Sequence, residues 1–110
     1  MEQLKDDFEW DKIDNVEILG YQIEFSEDDK LALVSALSKA DFYKSNWRKE
    51  GPTGTVITFY YKNGNYRNFQ WWGGDIFETY DNKSQFLIKS EEMKNIINKY
   101  GITEPGMLLN

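Results

Sequence analysis

The side chains of this chain that could carry chemistry are carboxylates and aromatic rings: 19 Asp plus Glu, seven Tyr and four Trp, with no His and no Cys. The absence of His and Cys excludes disulfide bonds, zinc and haem sites built on those ligands, and catalysis by a His base or a Cys nucleophile. A Ser or Thr nucleophile would need a carboxylate, Lys or Tyr as base, and no nucleophile-elbow motif surrounds any of them. We therefore predict that the chain is not an enzyme.

Clustered carboxylates stand where two helices are expected to begin. The acids at 27–29 follow Ser26, and those at 91–92 follow Ser90. A Ser oxygen can accept from the free amides of a first helical turn, and acidic side chains favour the positive end of the helix dipole. A calcium loop needs alternating oxygen ligands around a Gly with a closing Glu, a spacing that is absent here. We interpret both clusters as helix capping and predict no metal site and no cofactor.

A glycine pair, Gly73-Gly74, raises the question of a phosphate-binding loop. Such loops cradle phosphate because a helix N-terminus follows them directly. The residues at 76–78, Ile-Phe-Glu, are instead typical of a strand. We therefore predict a turn at the glycine pair.

The charge balance points to a basic partner. The 110-residue chain carries 13 Lys plus Arg against 19 Asp plus Glu, a formal net charge of −6, which argues against nucleic acid as a partner. The sequence shows no basic segment followed by an apolar stretch at its start and no apolar run of membrane-spanning length. The expectation is a cytoplasmic protein without a membrane segment.

Aromatic residues are the strongest functional signal. Tyr60, Tyr66 and Trp72, together with Trp47, could cluster on one sheet face, and Tyr and Trp are enriched at interface hot spots. Two structural readings stay open beside this one. An N-terminal arm could cover that face through its own aromatic residues Phe8 and Trp10, or Tyr60 and Tyr66 could simply form a cross-strand pair.

The pattern of apolar residues predicts the elements that position these side chains. Alternation over Val16 to Phe25 predicts a strand with a bulge near Leu19-Gly20, and a helix follows from Ser26. Residues 41–54 are expected to form a long connection. Thr55 to Trp72 is expected to form a hairpin whose tip lies at Asn63-Gly64.

Two registers of this hairpin are possible, and a one-residue slip exchanges the face of every side chain. A three-residue loop pairs Tyr61 with Asn65, whereas a two-residue turn pairs it with Tyr66. The three-residue loop places Ile57 and Phe59 on the same sheet face as Phe69. This register separates apolar from polar residues more cleanly than the two-residue turn does. We therefore predict the three-residue loop.

The rest of the chain is expected to hold a short strand continuation at 76–80, a strand at 85–89 and a helix from Ser90 that ends at Gly101. The predicted fold is α+β, a four-stranded, mainly antiparallel sheet with two helices on one face, in the order β-α-β-β-β-α. Residues 1–15 are expected to form an N-terminal arm and residues 16–110 a single domain.

The leading hypothesis is a non-enzymatic acidic protein that blocks or sequesters a basic protein partner, of the immunity-protein or phage-inhibitor type. The alternative is a small-ligand or carbohydrate-binding module of a secreted bacterial protein. The expected oligomeric state is a monomer or a weak homodimer. The predicted partner-binding residues are Glu24, Trp47, Tyr60, Tyr66, Asn68, Gln70, Trp72 and Asp75.

Overall fold

The computed structural model describes residues 12–45, 54–81 and 84–103. These residues form six strands and two helices in an α+β arrangement. In chain order, the elements are β1 (Ile13–Ile18), α1 (Glu27–Lys39), β2 (Phe42–Ser45), β3 (Thr55–Tyr61), β4 (Tyr66–Gly73), β5 (Ile76–Asp81), β6 (Ser84–Lys89) and α2 (Glu91–Lys99).

The strands form one sheet in the order β1-β3-β4-β5-β6-β2, and every neighbouring pair is antiparallel. The prediction of four strands was wrong, because β2 was not anticipated and β5 is a full strand of its own. Strands β3 to β6 follow one another directly, while β1 and β2 occupy the two edges. Helix α1 connects those edges: its 13 residues span about 20 Å, close to the roughly 24 Å between the outer strands of a six-stranded sheet.

The β3–β4 hairpin confirms the predicted register. The amide of Tyr61 donates to the carbonyl of Asn65 at 2.8 Å, and Tyr60 pairs with Tyr66. Gly64 has a φ of 93°, a conformation that other residues rarely adopt, and it completes the three-residue loop. The hairpin thus places its apolar side chains on the side of the helices and its polar aromatic ones on the other side.

The predicted strand over Val16 to Phe25 is wrong after Ile18. The amide of Tyr21 donates to the carbonyl of Ile18 at 3.1 Å, which closes a turn at Gly20, whose φ is 90°. The chain then runs without strand pairing to α1, so the change of alternation marks the end of a strand and not a bulge. The irregularity of β1 lies earlier, between Ile13 and Asn15.

The predicted connection at 41–54 contains strand β2. Phe42 is 1 % exposed and pairs with Ile88 of β6, so this short strand is anchored in the core. Four residues are too few to show a clear alternation in the sequence, which is why β2 was missed.

The core lies between one face of the sheet and both helices. It combines Leu33, Leu37, Met93 and Ile97 of the helices with the inward side chains of the strands, all in one cluster. These inward side chains are Val16, Ile18, Phe42, Ile57, Phe59, Phe69, Trp71, Phe77, Phe86 and Ile88.

Both helix starts are capped as predicted. The Ser26 oxygen accepts from the amide of Asp29 and the Ser90 oxygen from the amide of Met93, each at 3.1 Å. Helix α2 is followed by Gly101, with a φ of 88°, as the sequence indicated.

A polar contact joins the start of α1 to the end of α2. Asp29 is 7 % exposed, and its carboxylate accepts from Lys99 Nζ at 2.9 Å and from the Tyr100 hydroxyl at 2.5 Å. These two hydrogen bonds, led by that of Tyr100, hold the pKa of Asp29 below its ordinary value. The contact therefore joins the two helices through the ionised carboxylate of Asp29.

In the part of the chain that the structure describes, neither helix is long and apolar enough to cross a bilayer.

Candidate functional site

The sheet face opposite the helices, called here the outer face, gathers most of the predicted site residues. Cross-strand pairing places one row of its side chains across five strands: Val56, Gln70, Glu78, Leu87 and Tyr43. Glu78 stands at the centre of this row. The outer face also includes Glu17, Thr58, Tyr60, Tyr66, Asn68, Trp72, Ile76, Tyr80, Gln85 and Lys89.

Three tyrosines are the exposed large side chains of this face. Tyr66 is 61 % exposed, Tyr80 55 % and Tyr43 49 %. Tyr66 packs beside Tyr60 with ring centroids 6.1 Å apart, so the cross-strand pair anticipated from the sequence does form. Pairing leaves Tyr66 largely open to solvent, and it therefore does not remove the ring from the surface.

Carboxylates hold the tyrosine hydroxyls. Tyr43 donates to Asp41 and Tyr60 donates to Glu17, each at 3.2 Å. The charge of Asp41 raises the pKa of Tyr43, while burial first and then Glu17 raise the pKa of Tyr60. Both hydroxyls therefore stay protonated at neutral pH.

Glu78 is the buried member of the outer face, with 2 % exposure. Its Oε1 accepts from Trp72 Nε1 at 2.9 Å, and its Oε2 accepts from the Tyr80 hydroxyl at 3.2 Å and from Gln85 Nε2. All three donors are uncharged. The carboxylate thus organises two aromatic side chains and an amide around itself.

Gly54, at the start of β3, allows Trp72 to reach Glu78. A Cβ at Gly54 would lie 2.6 Å from the carbonyl oxygen of Trp71 and 3.1 Å from the Trp72 ring. Only glycine therefore lets this backbone lie against the indole.

Most of the predicted site residues come together, but three lie elsewhere. Tyr60, Tyr66, Asn68, Gln70 and Trp72 share the outer face. Glu24 is exposed in the unpaired segment before α1, where a groove of about 500 Å³ runs along residues 17–24. Asp75 lies in the β4–β5 turn, and Trp47 falls outside the described residues, as do residues 1–11 of the arm predicted at 1–15, with Phe8 and Trp10. Residues 13–15 of that arm belong to β1.

Sequence reasoning missed the centre of the site. Glu78, Tyr80 and Tyr43 were not among the candidates. The spacing of Glu78 and Tyr80, two residues apart on one strand, was a signal for a shared face. Their meeting with Trp72 and Gln85 required the strand order, which the sequence left open.

The Thr58 hydroxyl of the outer face is engaged with a neutral acceptor. Thr58 Oγ1 donates to the Asn68 side chain at 2.7 Å. Within residues 12–45, 54–81 and 84–103, no group of three acids is arranged to hold a metal ion.

A comparison with protein families, curated proteins and solved structures gave no match.

Proposed function

We propose that this chain is a non-enzymatic binding protein that holds a basic protein partner against its outer face, of the immunity-protein or phage-inhibitor type. The observation that supports this function best is the pairing of surface tyrosines with carboxylates. Tyr43, Tyr60 and Tyr80 each donate their hydroxyl to an acidic side chain.

Such a surface suits cationic side chains of a protein. A tyrosine ring buries a large area with few rotatable bonds, and its face attracts Lys and Arg. The neighbouring carboxylates add charge-assisted hydrogen bonds to the same cations. The formal charge of −6 would in addition steer a basic partner toward the chain.

Four of the described Ser and Thr hydroxyls have structural partners. Ser26 and Ser90 cap helices, Thr79 Oγ1 donates to the carbonyl of Asn68 at 2.9 Å, and Ser38 Oγ donates to the carbonyl of Ser35 at 2.8 Å. None of these four contacts activates the hydroxyl by a base.

The test begins with capture of partners from the lysate of the source organism by the tagged chain, washed at low and at high salt. The captured protein is then purified and its affinity measured by titration calorimetry. We expect Tyr66→Ala and Tyr80→Ala each to weaken binding about 30-fold, the usual effect of truncating a hot spot. Leu31→Ala is the control, since Leu31 is 67 % exposed and belongs to α1, on the opposite side of the sheet.

Salt provides the second readout, because interactions between exposed charges are largely screened beyond roughly 8–10 Å at physiological ionic strength. Affinity that is unchanged by salt and by both tyrosine variants contradicts the proposal. Quenching of tryptophan fluorescence by a soluble glycan, with no protein captured, would favour the carbohydrate-binding alternative.

A further inference from the structure

The buried carboxylate of Glu78 is not matched by a positive charge. Its partners Trp72, Tyr80 and Gln85 are neutral donors. Among the residues that the structure describes, none forms an ion pair with Glu78, including Lys89 on the same face. Carboxylates that are removed from water are normally paired with a cation, because desolvation of the charge is costly. The site therefore lacks the cation that usually accompanies a buried carboxylate.

A second, independent feature lies next to it. Gln70 is the cross-strand partner of Glu78, and its Oε1 is buried without a hydrogen-bond donor. Buried acceptors are almost always satisfied in folded proteins. Two neighbouring acceptors, one anionic and one neutral, thus share a need for donors.

We propose that Glu78 and Gln70 together receive one Lys or Arg side chain of the basic partner. This inference rests on the proposed function and names its central contact. An ammonium or guanidinium group has several donors and a positive charge, so one such group satisfies both acceptors. A neutral peptide or a sugar hydroxyl would supply donors but would leave the charge uncompensated.

In the free protein, the amide of Gln85 contacts Glu78 where the cation would bind, and the cation displaces this amide. The Gln85 amide is a neutral donor on a flexible, half-buried side chain, and it donates to Oε2 of Glu78. A charged donor forms a stronger hydrogen bond with a carboxylate than a neutral amide does. Exchange of Gln85 for the cation is therefore favourable.

Two aromatic side chains form the walls of the site. Trp72 lies against Gly54, while Tyr80 is 55 % exposed and forms the open side. Both rings can also contact the cation through their faces. These walls favour the planar guanidinium of Arg, which stacks on aromatic rings.

The test follows the indole N–H signal of Trp72 by NMR, since this group donates directly to Glu78. The signal is assigned with Trp72→Phe. The probe is butylguanidinium, and butylurea is its neutral counterpart of the same shape. We expect a saturable shift with the cation, with a Kd on the order of 1–10 mM for so small a ligand, and no shift with the urea.

Three variants make the result specific. Glu78→Gln should abolish the shift, while Glu92→Gln, which removes an exposed carboxylate of α2 on the other side of the sheet, should preserve it. Gln85→Ala removes the competing amide and should bind the probe several-fold more tightly. If Glu78→Gln fails to fold, Gln85→Ala decides the question, because unchanged or weaker binding there overturns the proposal. A shift of equal size in Glu78→Gln, a response to butylurea, or no response to the cation also overturns it.

The result separates this site from the proposed function. If Glu78→Gln binds the captured partner as tightly as the unchanged chain, the cation site is refuted while partner binding stands. If the probe binds at Glu78 but Tyr66→Ala and high salt leave partner capture unaffected, the site stands and the proposed use of the outer face is refuted.

Discussion

Replacement of Gly54 by alanine tests whether close packing against Trp72 shapes the outer face. The added Cβ would approach the Trp71 carbonyl to 2.6 Å and the Trp72 ring to 3.1 Å, whereas ordinary contacts begin at 3.4 Å. The structure must therefore yield by about 0.8 Å at the backbone and about 0.3 Å at the ring. The backbone contact is the harder one to relieve, because Thr55 and Trp71 are paired in the β3–β4 ladder.

Overpacking of this kind costs about 1–3 kcal/mol, which lowers the melting temperature of a domain this size by roughly 4–12 °C. The total stability of such domains is about 5–15 kcal/mol, so the variant should still fold. Urea unfolding measures the loss. The indole N–H signal of Trp72 should shift as well, because a displaced ring loses its bond to Glu78.

Gly64→Ala is the matched control. Its Cβ would meet nothing within 4 Å, but its φ of 93° makes the substitution strained, at about 1–2 kcal/mol. It should therefore destabilise the fold and leave the Trp72 indole signal in place. Wild-type stability in Gly54→Ala together with an unmoved indole signal would refute the packing argument.

Two further substitutions test the helix contact and the missed strand. Asp29→Asn should lower the melting temperature at neutral pH. Because Tyr100 and Lys99 depress the pKa of Asp29 in the folded state, its contribution is present above the ordinary pKa and is lost as the pH falls through the lowered one. The difference from the unchanged chain should therefore vanish in acid, and a constant difference from pH 7 to pH 2 would contradict this assignment. Phe42→Ala should lower the free energy of unfolding, measured in urea, by about 3–5 kcal/mol, because β2 is anchored in the core. Tyr43→Ala, at an exposed position of the same strand, should leave the urea midpoint unchanged. Equal effects of the two substitutions would show that β2 is not integral to the sheet.

Local signals in the sequence were sufficient for the hairpin and for the helix starts. The register of β3 and β4 followed from alternation, because a slip would expose Ile57 and Phe59. Ser26 and Ser90 marked the helix starts through a short-range interaction that depends only on the next few residues. These features are determined within a few positions of the chain.

Features that depend on distant contacts were not recoverable. The alternation of Leu19, Tyr21 and Ile23 predicted a strand, yet Tyr21 and Ile23 pack against the core from an unpaired segment. Burial of every second residue does not by itself require strand pairing. Likewise, Glu78 was not among the candidate residues, because its burial arises only when β4, β5 and β6 lie side by side.

The positions of the edge strands also bear on how the chain acquires its fold. Strands β3 to β6 can pair with their immediate successors, whereas β1 must wait for β3 and β2 must wait for β6, each partner roughly 40 residues or more further along. During synthesis, the segment β1-α1-β2 leaves the ribosome before either of its partners exists. We therefore expect the strands β3–β6 to pair first, and the earlier half of the chain to complete the sheet only after the residues of β6 have emerged.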